Sequence, residues 1–110
     1  MKSYFIDEIP SDDMEKIEAY LSENAEGSAM DKLFWISIPS EHLAGLQPDH
    51  SECSPHRFAI ETGDDWIKAE FFIRTSTKFR CECSEYCNDN QKNFVINYID
   101  TILEQLNIRT

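Results

Sequence analysis

Two hydrophobic periods run through this 110-residue chain. Met14, Ile17, Tyr20 and Leu21 recur at helical spacing and predict a helix over residues 11–23. Ser11 after Pro10 is the expected N-cap, and Asp12 and Asp13 suit the positive end of the helix dipole. Residues 24–28, with Gly27, are expected to end it. The period then changes. Residues 32–38 (Lys-Leu-Phe-Trp-Ile-Ser-Ile) form a short β-branched and aromatic run closed by Pro39, which predicts a strand. A short capped helical segment is expected over 40–46, echoing the Ile-Pro-Ser-acid phrase that opens the first helix.

Residues 47–56 carry two proline breakers and read as irregular. Alternation returns at Arg57–Thr62, with Phe58 and Ile60 on one face and Arg57 and Glu61 on the other. Gly63-Asp64-Asp65 supplies hairpin-turn residues. Residues 66–74 alternate again: Ile67, Ala69, Phe71 and Ile73 share one face, and Trp66, Lys68, Glu70, Phe72 and Arg74 share the other. Thr75-Ser76-Thr77 is expected to turn the chain into a further strand over 78–82.

The C-terminal pattern is helical. Asn88 with Gln91 three residues on is a capping-box pair. Phe94, Val95, Tyr98, Ile99, Ile102, Leu103 and Leu106 trace one apolar stripe behind it. Grouped strands joined by short turns imply an antiparallel sheet, and two amphipathic helices need a face to cover. The expected fold is therefore α+β. A four-stranded, mainly antiparallel sheet is covered on one face by the N- and C-terminal helices as a two-layer sandwich, with a short extra helix after the first strand.

The length predicts a single domain spanning residues 1–110, large enough to bury a core unaided. Charge narrows the partners. Twenty-one acids against ten bases give −11, and residues 1–31 alone hold nine acids and two lysines. Such a surface disfavours nucleic acid and anionic membranes. No run approaches the ~20 apolar residues of a membrane span. The first residues lack a signal-peptide pattern, which predicts a cytoplasmic setting with reduced thiols.

Candidate chemistry is confined to four cysteines: Cys81, Cys83 and Cys87 within seven residues, and Cys53 between His50 and His56. Packing thiols are the leading expectation, since free cysteine behaves as a small hydrophobe. A zinc site built on Cys81, Cys83 and Cys87, completed by Cys53, His50 or His56, is the alternative, because zinc takes four tetrahedral N or S ligands. A thiol-redox site is the third reading. Glu82 and Glu85 beside the thiols oppose a reactive thiolate, and no Cys-x-x-Cys occurs. There is no Gly-rich phosphate loop, His-Glu-x-x-His or Gly-x-Ser-x-Gly, so catalytic residues are not assigned and the balance leans against an enzyme. His42 reads as a solvated surface residue.

The sheet face turned away from the helices stands out more. Alternation sends Phe34, Ile36 and Ile38 toward the helices and Leu33 and Trp35 away. Trp66 and Phe72 join them amid Arg57, Glu61, Lys68, Glu70, Arg74, Lys78 and Arg80. Trp35, Trp66 and Phe72 on a charged face suit a docking surface for a protein partner or a second copy. The competing expectation is that the short helix and the 47–56 loop fold over these aromatics.

Overall fold

The first strand is one that no period announces. In the computed structural model, which describes residues 2–27, 31–45, 47–49, 55–75 and 84–109, Ser3–Ile6 forms an edge strand (β1). It pairs antiparallel with Ile67–Glu70 (β5), Ser3 opposite Glu70 and Ile6 opposite Ile67. The helix α1 follows over Ser11–Asn24. Pro10, not Ser11, holds the N-cap position, and no side chain caps the helix; Ser11 falls inside the first turn, where proline's fixed φ already aims the chain.

Glu26–Gly27 does not merely end the helix. It is a two-residue strand (β2) paired with Leu33–Ser37 (β3). Arg57–Thr62 (β4) completes the main sheet, whose order is β1-β5-β4-β3-β2 with every neighbour antiparallel. Among the described residues the main sheet therefore has five strands rather than the four expected. The expected strand over 78–82 lies outside the described residues.

The expected single strand over 66–74 is broken at Phe71. Phe72–Ile73 (β6) pairs with Glu85–Tyr86 (β7) as a separate ribbon. Ile60 opposes Ala69, but Arg57 opposes Arg74. Two extra residues thus enter this strand as a bulge, and an even insertion leaves the inside–outside alternation intact. Phe71 is the junction: its N–H donates to the Lys2 carbonyl and its carbonyl accepts from Cys87 N–H.

The last helix, α2, spans Asp89–Gln105 and begins with the expected capping box. Its end is a Schellman turn. Asn107 sits at φ 61°, Asn107 N–H donates to Glu104 O, and Ile108 N–H donates to Leu103 O. Ile108 and Leu103 are both buried, the apolar contact that accompanies this motif.

Both helices bury their stripes in one core with the sheet. Met14, Ile17 and Leu21 of α1 and Val95, Ile99, Ile102 and Leu103 of α2 join Ile36, Phe58, Ile60, Ile67, Ala69 and Ile73. Phe58 is fully enclosed and meets Phe94 and Tyr98 edge-on. Full burial of side chains this size contributes about 1.5–3 kcal/mol each. Tyr4 Oη donates to Asp100 Oδ1 at 2.8 Å, fastening β1 to α2.

The short helix after β3 is two 3₁₀ turns, Ser40–His42 and Gln47–Asp49. They pack on the helix side of the molecule. Gln91 Nε2 of α2 donates to His42 O and to Gln47 Oε1, and His42 stacks on Phe94 at 5.0 Å. His42 is thus half-buried against α2 rather than a free surface residue.

Candidate docking face

Among the described residues, the 3₁₀ segment leaves the opposite sheet face to the strands themselves. Strand alternation places Trp35 of β3, Arg57, Ala59 and Glu61 of β4, and Lys68 and Glu70 of β5 on it. Register puts Trp35 directly opposite Ala59 and Glu61 opposite Lys68. The three aromatics picked out by the sequence, Trp35, Trp66 and Phe72, are all half-buried.

Each of the three carries a cation over its ring, and each cation also reaches a carboxylate. The Arg57 guanidinium lies 4.4 Å from the Trp35 ring centroid and its Nη1 is 3.3 Å from Glu26 Oε2. Lys68 Nζ lies 5.7 Å from the Trp66 ring and 3.5 Å from Glu61 Oε1. The Arg74 guanidinium lies 5.0 Å from the Phe72 ring and its Nη2 is 2.9 Å from Glu70 Oε2. Three aromatic–cation–carboxylate units therefore repeat across the face. Each holds a long basic side chain over a ring, at about 0.5–1 kcal/mol for an exposed stack. Each also cancels its own charge, so the face carries far less negative charge than the chain average. Lys68 with Trp66 and Arg74 with Phe72 are same-face neighbours two residues apart in sequence, whereas Arg57 meets Trp35 only through the register of β3 on β4.

Two more aromatics extend the surface. Phe5 of β1 is 50% exposed and lies 5.6 Å from the Trp66 ring. Tyr86 of β7 is 57% exposed and meets Phe72 edge-on at 5.0 Å. Between these ends the face is concave. Ala59 is small and 2% exposed, and Ser3, Leu33, Glu61, Lys68 and Glu70 rise around it to line a depression of about 240 Å³. Trp66 is seated on Gly63, whose N–H donates to the Trp66 carbonyl; its indole occupies the space a Cβ would need. Lys78 and Arg80, expected on this face, lie outside the described residues.

The proposed zinc set is placed only in part. His50, Cys53, Cys81 and Cys83 lie outside the described residues. His56 and Cys87 are both buried. Burial pushes the Cys87 thiol up to about 11, with Lys92 pulling the other way, so it is a neutral thiol near pH 7 rather than a poised thiolate. Among the described residues, no group of three or more His, Cys, Asp or Glu side chains is placed to hold a metal ion. Also among them, no helix is long and apolar enough to cross a membrane.

No family model, curated protein or solved structure matches the chain.

Proposed function

We propose that this chain is a non-catalytic protein-binding domain that docks a partner on the Trp35–Trp66–Phe72 sheet face. The supporting observation is the set of three aromatic–cation–carboxylate units around the Ala59 depression. Rings and basic side chains held in place before contact lose little entropy on binding. A shallow concavity beside a tryptophan is the geometry in which a protein partner seats an anchor side chain. Local charge cancellation matters in a chain of −11, because it lets a protein surface of mixed polarity approach without the repulsion the rest of the molecule exerts. The same net charge argues against nucleic acid or anionic lipid as the ligand.

The test compares wild type with Trp35→Ala, Trp66→Ala and Phe72→Ala in cross-linking within the native cell. Variants are first shown by circular dichroism to be folded. One discrete protein partner, lost in all three variants and retained in the core-neutral control Glu23→Gln, is the expected result. Acrylamide quenching supplies the counter-test. Two tryptophans shielded from quencher in the purified monomer would refute the docking face.

A further inference from the structure

Phe71 N–H donates to the Lys2 carbonyl at 3.1 Å, in the same register that sets Ser3 opposite Glu70. Antiparallel ladders alternate strictly. The even residues Lys2, Tyr4 and Ile6 therefore turn their main-chain groups toward β5, and the odd residues of the strand, Ser3 and Phe5, turn theirs outward. Among the described residues, β1 is the terminal strand of the sheet. Its outward side thus presents a row of donors and acceptors within the uncharged run Ser3-Tyr4-Phe5-Ile6.

Sheets usually blunt such an edge with charge, proline or brevity. The opposite edge does so: β2 is two residues long, and its Glu26 side chain is engaged by Arg57. β1 is twice as long, and among the described residues its Ser3–Ile6 run carries neither charge nor proline. Its exposed side chain is instead a phenylalanine, and that ring already leans on Trp66.

We infer that β1 pairs antiparallel with β1 of a second copy of this chain, joining two five-stranded sheets across a two-fold axis at Phe5. A two-fold axis between antiparallel strands must stand perpendicular to the sheet, so both helix layers lie on the same side. Only registers that oppose odd residues to odd residues use the outward groups. Centring on Phe5 sets Phe5 against Phe5 at the axis, with Ser3 of each copy opposite Asp7 just beyond the other strand. Centring on Tyr4 would set Phe5 against Ser3, so the two Phe5 rings would no longer face each other. In the chosen register both Phe5 side chains lie on the sheet face away from the helices. The Phe5–Trp66 pair of one copy meets that of the other, an aromatic cluster across the seam. Lys2 of each copy comes to the end where the other carries Asp7 and Glu8, so charge also complements itself. That self-complementarity identifies the occupant as a second copy rather than an unrelated strand. A four-residue strand makes a small interface, so association is weak and concentration-dependent.

This inference rests on the main-chain edge of β1 and not on the docking-face reading, although Phe5 and Trp66 belong to both surfaces. Sedimentation of the full chain over about 10 µM to 1 mM is expected to show the mass doubling. Amide exchange by NMR over the same range should show Phe5 N–H gaining protection of roughly tenfold or more as dimer forms, while Tyr4 N–H, already bonded to β5, changes little. Phe5→Lys places a charge at the axis and should abolish doubling, whereas Trp35→Ala, on the face but away from the edge, should not. A chain that stays monomeric at 1 mM, or a dimer in which Phe5 N–H exchanges as freely as in the monomer, overturns the proposal. If Phe5→Lys fails to fold, the exchange measurement on wild type decides alone.

Discussion

Replacing Gln91 with alanine tests the polar node that joins α2 to the segment after β3. Gln91 is 1% exposed. Its Oε1 accepts Asn88 N–H at 3.1 Å, and its Nε2 donates to His42 O at 2.8 Å and Gln47 Oε1 at 2.9 Å. Gln47 is itself fully buried, and its Oε1 also accepts Ala44 N–H at 3.0 Å. Gln91→Ala removes one half of a capping box, worth about 1 kcal/mol. It also takes the donor from His42 O and one of two donors from Gln47 Oε1 at a buried site, a loss of about 1–3 kcal/mol. Together these predict destabilisation of about 2–4 kcal/mol, or a Tm lower by roughly 10–20 °C for a domain of this size. Thermal and urea melts followed by circular dichroism measure it. Gln91→Glu separates the two parts. It keeps the capping acceptor but turns an acceptor toward His42 O and Gln47 Oε1, so it should match alanine at neutral pH and recover as acid restores one donor. A Gln91→Ala protein within about 0.5 kcal/mol of wild type, the spread of an ordinary surface change, would refute the account of this node.

Three further outcomes follow from individual groups. Burial, opposed by Lys92, lifts the Cys87 thiol from 9.0 to about 11, so its contribution to stability is full below pH 9 and lost as pH rises toward 11; wild type should lose more stability than Cys87→Ser across that window in urea melts. Tyr4 is lifted from 10.0 to about 12, first by burial and then by its hydrogen bond to Asp100, and burial also raises Tyr98; phenolate absorbance should show late-titrating tyrosine, and Asp100→Asn should bring the Tyr4 part of it earlier. Gly63→Ala needs the space held by the Trp66 ring; in a Trp35→Phe background the emission of Trp66 should shift to the red, with about 1 kcal/mol lost to the displaced ring, and an unchanged spectrum would show that Trp66 does not rest on Gly63.

Much of the sheet was legible because β4 and β5 alternate between apolar and mainly polar positions, so Phe58, Ile60, Ile67 and Ala69 declare the inside. The capping box was legible because Asn88 and Gln91 are local in sequence. β1 was not, since Ser-Tyr-Phe-Ile shows no alternation: Tyr4 and Ile6 pack on the core while Phe5 stays exposed on the other side. β2 is too short to carry a period. The break at Phe71 was hidden because a two-residue insertion preserves parity, leaving the side-chain pattern of an unbroken strand. The docking face was half legible. Its aromatics could be assigned to a face from alternation, but the pairing of Arg57 with Trp35 is a property of register, and that of Lys68 with Trp66 and Arg74 with Phe72 a property of rotamer. The Asn107 turn had a local signal, an asparagine directly after the apolar stripe, that helix-stop rules allow for.

The partnership of β1 with β5 also sets an order of events during synthesis. Ser3 finds its partner at Glu70, so β1 is made long before the strand that will hold it. At ribosomal rates of about 5–20 residues per second the wait lasts several seconds. Throughout it, Tyr4, Phe5 and Ile6 belong to a nascent chain whose central sheet does not yet exist. Helix α1 can form in that interval, but it has no sheet to cover until β3 and β4 have paired. Placing this early strand at the edge means that β5, β4 and β3 can pair without waiting for it, and β1 can close onto a sheet already built.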